Sequence, residues 1–248
     1  MIKSERNGVY SHLLLCLCFG IAMGLLEAIV VVYLRTLHCP EGFAFPLVSI
    51  APQILSTELL REMATIVMLA LVAIIAGRNS LQRFAYFLFT FGVWDIAYYL
   101  FLRVFLDWPP SVFTWDVLFL IPLPWVAPVL APLFCAVMMI LMSLAMIFLQ
   151  FRGYRVTIGF TEWVLLLVGV AVVLATFVWD FMAMIIGNGL LPQIRSLAEN
   201  ESFRALVTEY QPYYYNWLLF ACGQIFIVGG IGSMVSRALS RGRGGRIA

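Results

Sequence analysis

The chain has 248 residues, of which 63% are hydrophobic and 11% charged, with a formal net charge of +2 and a mean hydropathy of +1.00. Soluble domains carry about 25% charged residues, and a soluble fold of this length cannot hide so much apolar surface, so the composition excludes one and names the lipid bilayer as a partner. The small net charge, without a basic helix or an RNA-stacking motif, excludes nucleic acid.

In chain order, MIKSERNG is followed by an apolar run that continues through Val32. That is too long for the core of a signal peptide, and no A-x-A-like site closes it, so it reads as an uncleaved first span. A span needs about 20 mainly apolar residues. Six candidates meet this, at 11–36, 58–77, 83–106, 124–150, 156–186 and 213–237. The expected fold is a single all-α transmembrane domain, a polytopic bundle of six helices. Residues 107–132 interrupt the pattern with Pro109, Pro110, Pro122, Pro124, Pro128 and Pro132. One unbroken helix through them is excluded, because proline removes a backbone donor and clashes with the preceding turn. The expectation is a short interfacial or re-entrant segment near 114–121, followed by a kinked helix.

Of the five cysteines, Cys16, Cys18, Cys135 and Cys222 lie in apolar runs, where cysteine behaves as a small hydrophobe. Only Cys39 reads as loop, so no disulfide framework is implied. Gly20 and Gly24 form a GxxxG pair, a helix-packing signal.

The connections sort by charge. With a cytoplasmic N-terminus, Lys3, Arg6, Arg78, Arg83, Arg152, Arg155, Arg237, Arg241, Arg243 and Arg246 lie inside. Arg35, Arg61, Arg103, Arg195 and Arg204 lie outside. The positive-inside rule therefore predicts a multi-pass protein of the cell membrane with both termini cytoplasmic. Of the acids, only Glu5 and Glu162 fall on the inner side. Asp107, Glu41, Glu199, Glu201 and Glu209 read as solvated loop residues.

The remaining acids carry the functional signal. Spans 1, 3 and 5 each place one acid in the outer half: Glu27 in GLLEAIVVVYLR, Asp95 in GVWDIAYYLFLR and Asp180 in FVWDFMAMIIGN. The first two are followed at +8 by Arg35 and Arg103, and the third by Asn188, a weak threefold pattern. Residues four apart share a helix face, so Asp95, Tyr99 and Arg103 form a polar stripe. At 1.5 Å per residue each acid sits roughly 10–16 Å below the helix end. Glu62 and Asp116 are expected near the same level. The pattern predicts an outward-facing polar pocket built from Glu27, Glu62, Asp95, Asp116 and Asp180. Trp94, Trp115 and Trp125 would wall it, with Arg35, Arg61 or Arg103 offsetting charge. The competing reading for each acid is a structural ion pair between helices.

Intramembrane carboxylates mark ion and proton paths, so the leading expectation is transport of a cation, a proton or a small cationic solute. Substrate contacts would come from Glu27, Glu62, Trp94, Asp95, Tyr99, Arg103, Asp116 and Asp180. No cofactor is implied, although a carboxylate cluster also suits a hard divalent cation. No catalytic set is evident: the two histidines have no partner for haem, and HExxH, GxSxG and Walker A are absent. The alternatives are a metal-dependent membrane enzyme acting on a lipid or lipid-linked substrate, and a non-catalytic subunit of a membrane complex. A homo-oligomer or a complex partner fits either.

Overall fold

The computed structural model describes residues 2–39, 42–47, 51–121, 123–190, 192 and 201–242. Glu41, Pro122, Arg195, Glu199, Arg243 and Arg246, and the side chains of Lys3, Glu5, Arg6, Glu201 and Arg204, lie outside what it describes. Among the described residues the order is α1 (Ile2–His38), α2 (Pro52–Ala76), α3 (Ser80–Leu106), β1 (Trp115–Phe119), β2 (Trp125–Pro128), α4 (Leu130–Phe151), α5 (Phe160–Gly187), α6 (Glu201–Glu209) and α7 (Trp217–Ser240). All of these helices except α6 are long and apolar enough to cross a membrane. The chain is thus a multi-pass membrane bundle.

Local chemistry sets the helix ends. Pro52 opens α2, where its missing N–H has no helical partner to lose. Asn79 caps α3 by accepting from the Gln82 amide at 2.9 Å, and Asn216 caps α7 by accepting from the Leu219 amide at 3.0 Å. Asp107, at φ 51°, ends α3 in the left-handed region before the Pro109–Pro110 pair.

The bundle is arranged around α3, whose most apolar window is 56% buried against 28–33% for the other five spans. Helix α3 packs on α1, α2 and α4, while α5 pairs with α7. The outer faces of α2 and α5 leave Leu60, Leu71, Ile75 and Leu167 exposed, the arrangement of a bundle whose outside meets lipid. Glycine permits the closest approaches. A Cβ on Gly24 would stand 2.7 Å from the Ala97 Cβ and 2.8 Å from the Trp94 carbonyl oxygen, and one on Gly169 would stand 2.7 Å from the Gly223 carbonyl oxygen. The GxxxG pair therefore serves α1–α3 packing within the chain.

Contacts divide the bundle into two ends. Tyr10 of α1 meets Phe148 and Phe151 of α4, and Glu162 of α5 pairs with Arg237 of α7 at 2.7 Å. Arg78, Arg83, Arg152 and Arg155 belong to this basic end. The other end carries the hairpin.

That hairpin refines the expectation for 114–121. The segment is β1, paired antiparallel with β2 in the register Trp115↔Pro128, Asp116↔Ala127, Val117↔Val126 and Phe119↔Trp125, with an irregularity between Val117 and Phe119. Residues 124–129 consequently belong to β2 and its exit, and the fourth span begins at Leu130 instead of 124. Pro128 ends the strand, and Pro132 sits in the first turn of α4, where its absent donor is not missed. Below the strands, the Val129 amide donates to the Thr114 carbonyl at 3.0 Å and the Leu130 amide to that of Val112 at 2.7 Å. Glu209 ends the short amphipathic helix α6 and is not a loop residue; it remains exposed. Val126 packs with Phe181, Ile185, Leu190 and Tyr210, which wedges the hairpin between α5 and the segment after α6.

Candidate functional site

At the hairpin end a cavity of about 270 Å³ lies between α1, α2, α3 and the hairpin. Four of the five pocket acids expected from the sequence line it: Glu27, Glu62, Asp95 and Asp116, joined by Glu58. Arg35 and Arg61 stand in the same wall, so carboxylates outnumber guanidiniums five to two. Trp94, Tyr98, Tyr99 and Phe119 supply aromatic surface.

Helix geometry explains the gathering. Glu27 and Arg35 project from one face of α1 at i and i+8. Glu58, Arg61 and Glu62 occupy a single turn of α2, and Trp94, Asp95, Tyr98 and Tyr99 occupy i−1, i, i+3 and i+4 of α3. The pieces are tied in pairs. Arg61 bridges α1 and α2, donating through Nη1 to Glu27 and through Nε to Glu58 at 2.7 Å. Both Glu62 oxygens accept from the Leu120 amide at 3.1 Å, which satisfies a hairpin-tip donor. A backbone donor drawn away from water needs such a partner.

Asp116 is 1% exposed. It accepts from Arg35 Nη2 at 3.2 Å and from the Tyr99 hydroxyl at 3.0 Å. Burial raises its carboxyl above the ordinary range, while the Arg35 charge and the Tyr99 hydrogen bond pull it down. The Arg35 guanidinium also lies over the rings of Trp108 and Phe43, at 3.8 and 4.2 Å from their centroids. Cation–π contact of this kind favours an ion held out of water.

Asp95 differs from its neighbours. It lines the cavity half-buried, and its carboxylate has neither a hydrogen-bond nor an ion-pair partner among the described residues. The indole Nε1 of Trp94, in a side chain 5% exposed, is likewise without a partner there.

Four expected members lie elsewhere or do other work. Asp180 accepts from the Tyr210 hydroxyl at 2.8 Å, and its neighbour Phe181 reaches the cavity in its place. Arg103 turns back to the Asp107 carbonyl at the end of α3, with its side chain 52% exposed. Trp115 meets Tyr215 just before α7, and Trp125 meets Phe177 of α5. Tyr98 joins the cavity beyond the expected set, and its i+3 relation to Asp95 is a usable sequence signal. Phe119 joins it as well, at a position that follows only from strand pairing. His38 and Cys39 also contribute to the cavity lining.

Chemically, the site combines apolar and aromatic walls, an excess of carboxyl groups over guanidiniums and an unpaired Asp95. Among the described residues, no three His, Cys, Asp or Glu side chains are grouped to ligate one metal ion. Comparison with protein-family models, with characterised proteins and with solved structures yields no match to this chain.

Proposed function

We propose that this membrane protein takes up a cation from its hairpin end and carries it through the acidic cavity. The observation that carries this reading is the Asp95 carboxylate, unpaired on the wall of a cavity where acids outnumber guanidiniums. Asp95 is half-buried, and intramembrane carboxylates without a protein partner mark ion and proton paths. The satisfied acids act as scaffold: Glu27 and Glu58 hold Arg61, Glu62 holds the hairpin tip, and Asp116 holds Arg35. Asp95 alone is left to meet a ligand. The charge distribution supports an orientation with the basic end in the cytoplasm, which turns the cavity to the outside.

The metal-dependent enzyme draws no comparable support, since the cavity acids are spread over several elements and spoken for in pairs. The test is charge movement in proteoliposomes adsorbed on a solid-supported membrane, driven by concentration jumps of protons, sodium or an alkylammonium. Wild type gives a transient current for at least one of these, and Asp95→Asn lowers it about tenfold or more, as expected when the charge countering the ion is removed. Currents equal in wild type, Asp95→Asn and protein-free liposomes would refute the proposal.

A further inference from the structure

Exposed tryptophans and tyrosines fall at two levels of this bundle. Among the described residues, Tyr10 of α1 and Trp163 of α5 mark the basic end. Tyr33 of α1, Trp179 of α5, and Tyr213, Tyr214 and Trp217 at the start of α7 mark the hairpin end. Between the two levels, α1 and α5 expose aliphatic side chains such as Leu14, Ile21, Leu26, Leu167 and Val170. Tyr10 and Tyr33 are twenty-three residues apart, about 35 Å along a helix, and Trp163 and Trp179 are sixteen apart, about 24 Å. These spacings bracket the hydrocarbon thickness of about 30 Å. Tyrosine and tryptophan favour the headgroup level, because each joins an apolar ring to a polar tip.

The hairpin starts at the outer of these levels. Phe113, exposed two residues before β1, packs edge-on against Trp217 with ring centroids 6.2 Å apart. This contact joins the loop before β1 to the aromatic segment before α7. From there β1 runs along α3 toward the basic end: Asp116 meets Tyr99, and Phe119 meets Trp94, five residues further back. Trp94 stands eleven residues from Arg83 and nine from Arg103, near the middle of the roughly 30 Å that separates those two charges along the helix. The next amide, that of Leu120, is met by Glu62 of α2, whose neighbour Met63 is exposed. Strand backbone at membrane depth is tolerated only where protein or a wet cavity satisfies it. The hairpin meets that condition, with Asp116, Val126 and Ala127 at most 1% exposed.

We infer that the hairpin is a re-entrant element whose tip lies near the bilayer midplane, and that the aromatic shelf of Phe113, Tyr213, Tyr214 and Trp217 rests in the headgroup layer on that side. The partner of the shelf is a lipid surface: the rings cover the acyl boundary, and the phenol and indole tips reach headgroup oxygens. The inference is independent of what the cavity carries.

The test is depth, read by power-saturation EPR on the full chain in proteoliposomes. In a cysteine-free background, Phe113→Cys, Tyr213→Cys, Tyr33→Cys, Met63→Cys and Ile21→Cys each carry a nitroxide. All five positions are exposed, where substitution costs little. Oxygen concentrates at the bilayer centre, whereas a neutral nickel chelate stays in water. Ile21, midway between Tyr10 and Tyr33, is the midplane reference, and Arg152→Cys, exposed after α4, is the water reference. The ratio of oxygen to nickel collisions at Met63, beside the residue that holds the tip, should equal that at Ile21. Both should be several-fold above the ratio at Phe113 and Tyr213, which should match Tyr33. A ratio at Met63 as low as at Tyr33 would overturn the mid-membrane tip. Nickel collisions at Phe113 and Tyr213 as frequent as at Arg152 would overturn the shelf. Protection of both from oxygen and nickel alike would place a second protein surface there, and would overturn the lipid assignment.

Discussion

Asp116 has the Arg35 guanidinium on one oxygen and the Tyr99 phenol on the other, and is 1% exposed. Breaking a buried pair by removing one partner costs about 3–5 kcal/mol, because the survivor stays buried and charged. Arg35→Leu should therefore lower the melting midpoint strongly, while Arg35→Leu combined with Asp116→Leu should recover much of the loss. A double variant as unstable as the sum of the two single variants would show that the pair is not coupled. The same arginine illustrates what spacing in sequence conveys. Arg35 and Arg103 each follow an acid by eight residues, yet Arg35 turns inward under Trp108 whereas Arg103 closes the end of its own helix. Spacing fixes the helix face, but which partner waits on the neighbouring element depends on tertiary arrangement. Asp95 and Glu27 were legible as cavity acids for this reason, and the diversion of Asp180 to Tyr210 was not.

At the scale of elements, helices and hairpin differ in how clearly sequence announces them. A spanning helix satisfies all its backbone groups internally, so six apolar runs suffice to recognise six helices. The hairpin writes no such signature. WDVLF and WVAP are short apolar runs without alternation, and their pairing depends on partners remote in sequence, such as Glu62 for the Leu120 amide. Glu62→Leu removes that acceptor and should destabilise by about 1–3 kcal/mol, the cost of orphaning a buried donor, whereas Glu62→Gln keeps an acceptor and should cost less. Thermal melts of the two variants, with amide exchange at Leu120, check this ordering. Glycine packing gives a second prediction. Gly24→Ala drives a methyl to within 2.8 Å of α3 backbone, while a Cβ at Gly229 of α7 meets nothing within 4 Å. Overpacking costs about 1–3 kcal/mol, so Gly24→Ala should melt earlier than wild type and Gly229→Ala should not. Similar melting of the two would contradict the close α1–α3 approach.

Over the whole molecule, charge is segregated along the bundle axis. Arginines collect where α2 meets α3, where α4 meets α5 and at the end of α7, and the acids gather at the opposite end around the cavity. Among the described side chains, the one acid at the basic end is fully engaged: Glu162 accepts from Ser233 Oγ and from the Gly159 amide and pairs with Arg237, tying α5 to α7. The asymmetry would orient the protein in the bilayer and raise the local concentration of cations at the cavity mouth. Val31, on the cavity wall one turn from both Glu27 and Arg35, offers a direct probe. In a cysteine-free background carrying Val31→Cys, membrane-impermeant methanethiosulfonates of opposite charge are added to either face of sealed vesicles. The account predicts that the cationic reagent modifies the thiol from the hairpin side about tenfold or more faster than the anionic one, with neither reacting from the basic side. Equal rates for the two reagents, or modification from the basic side, would contradict an acidic cavity open at the hairpin end.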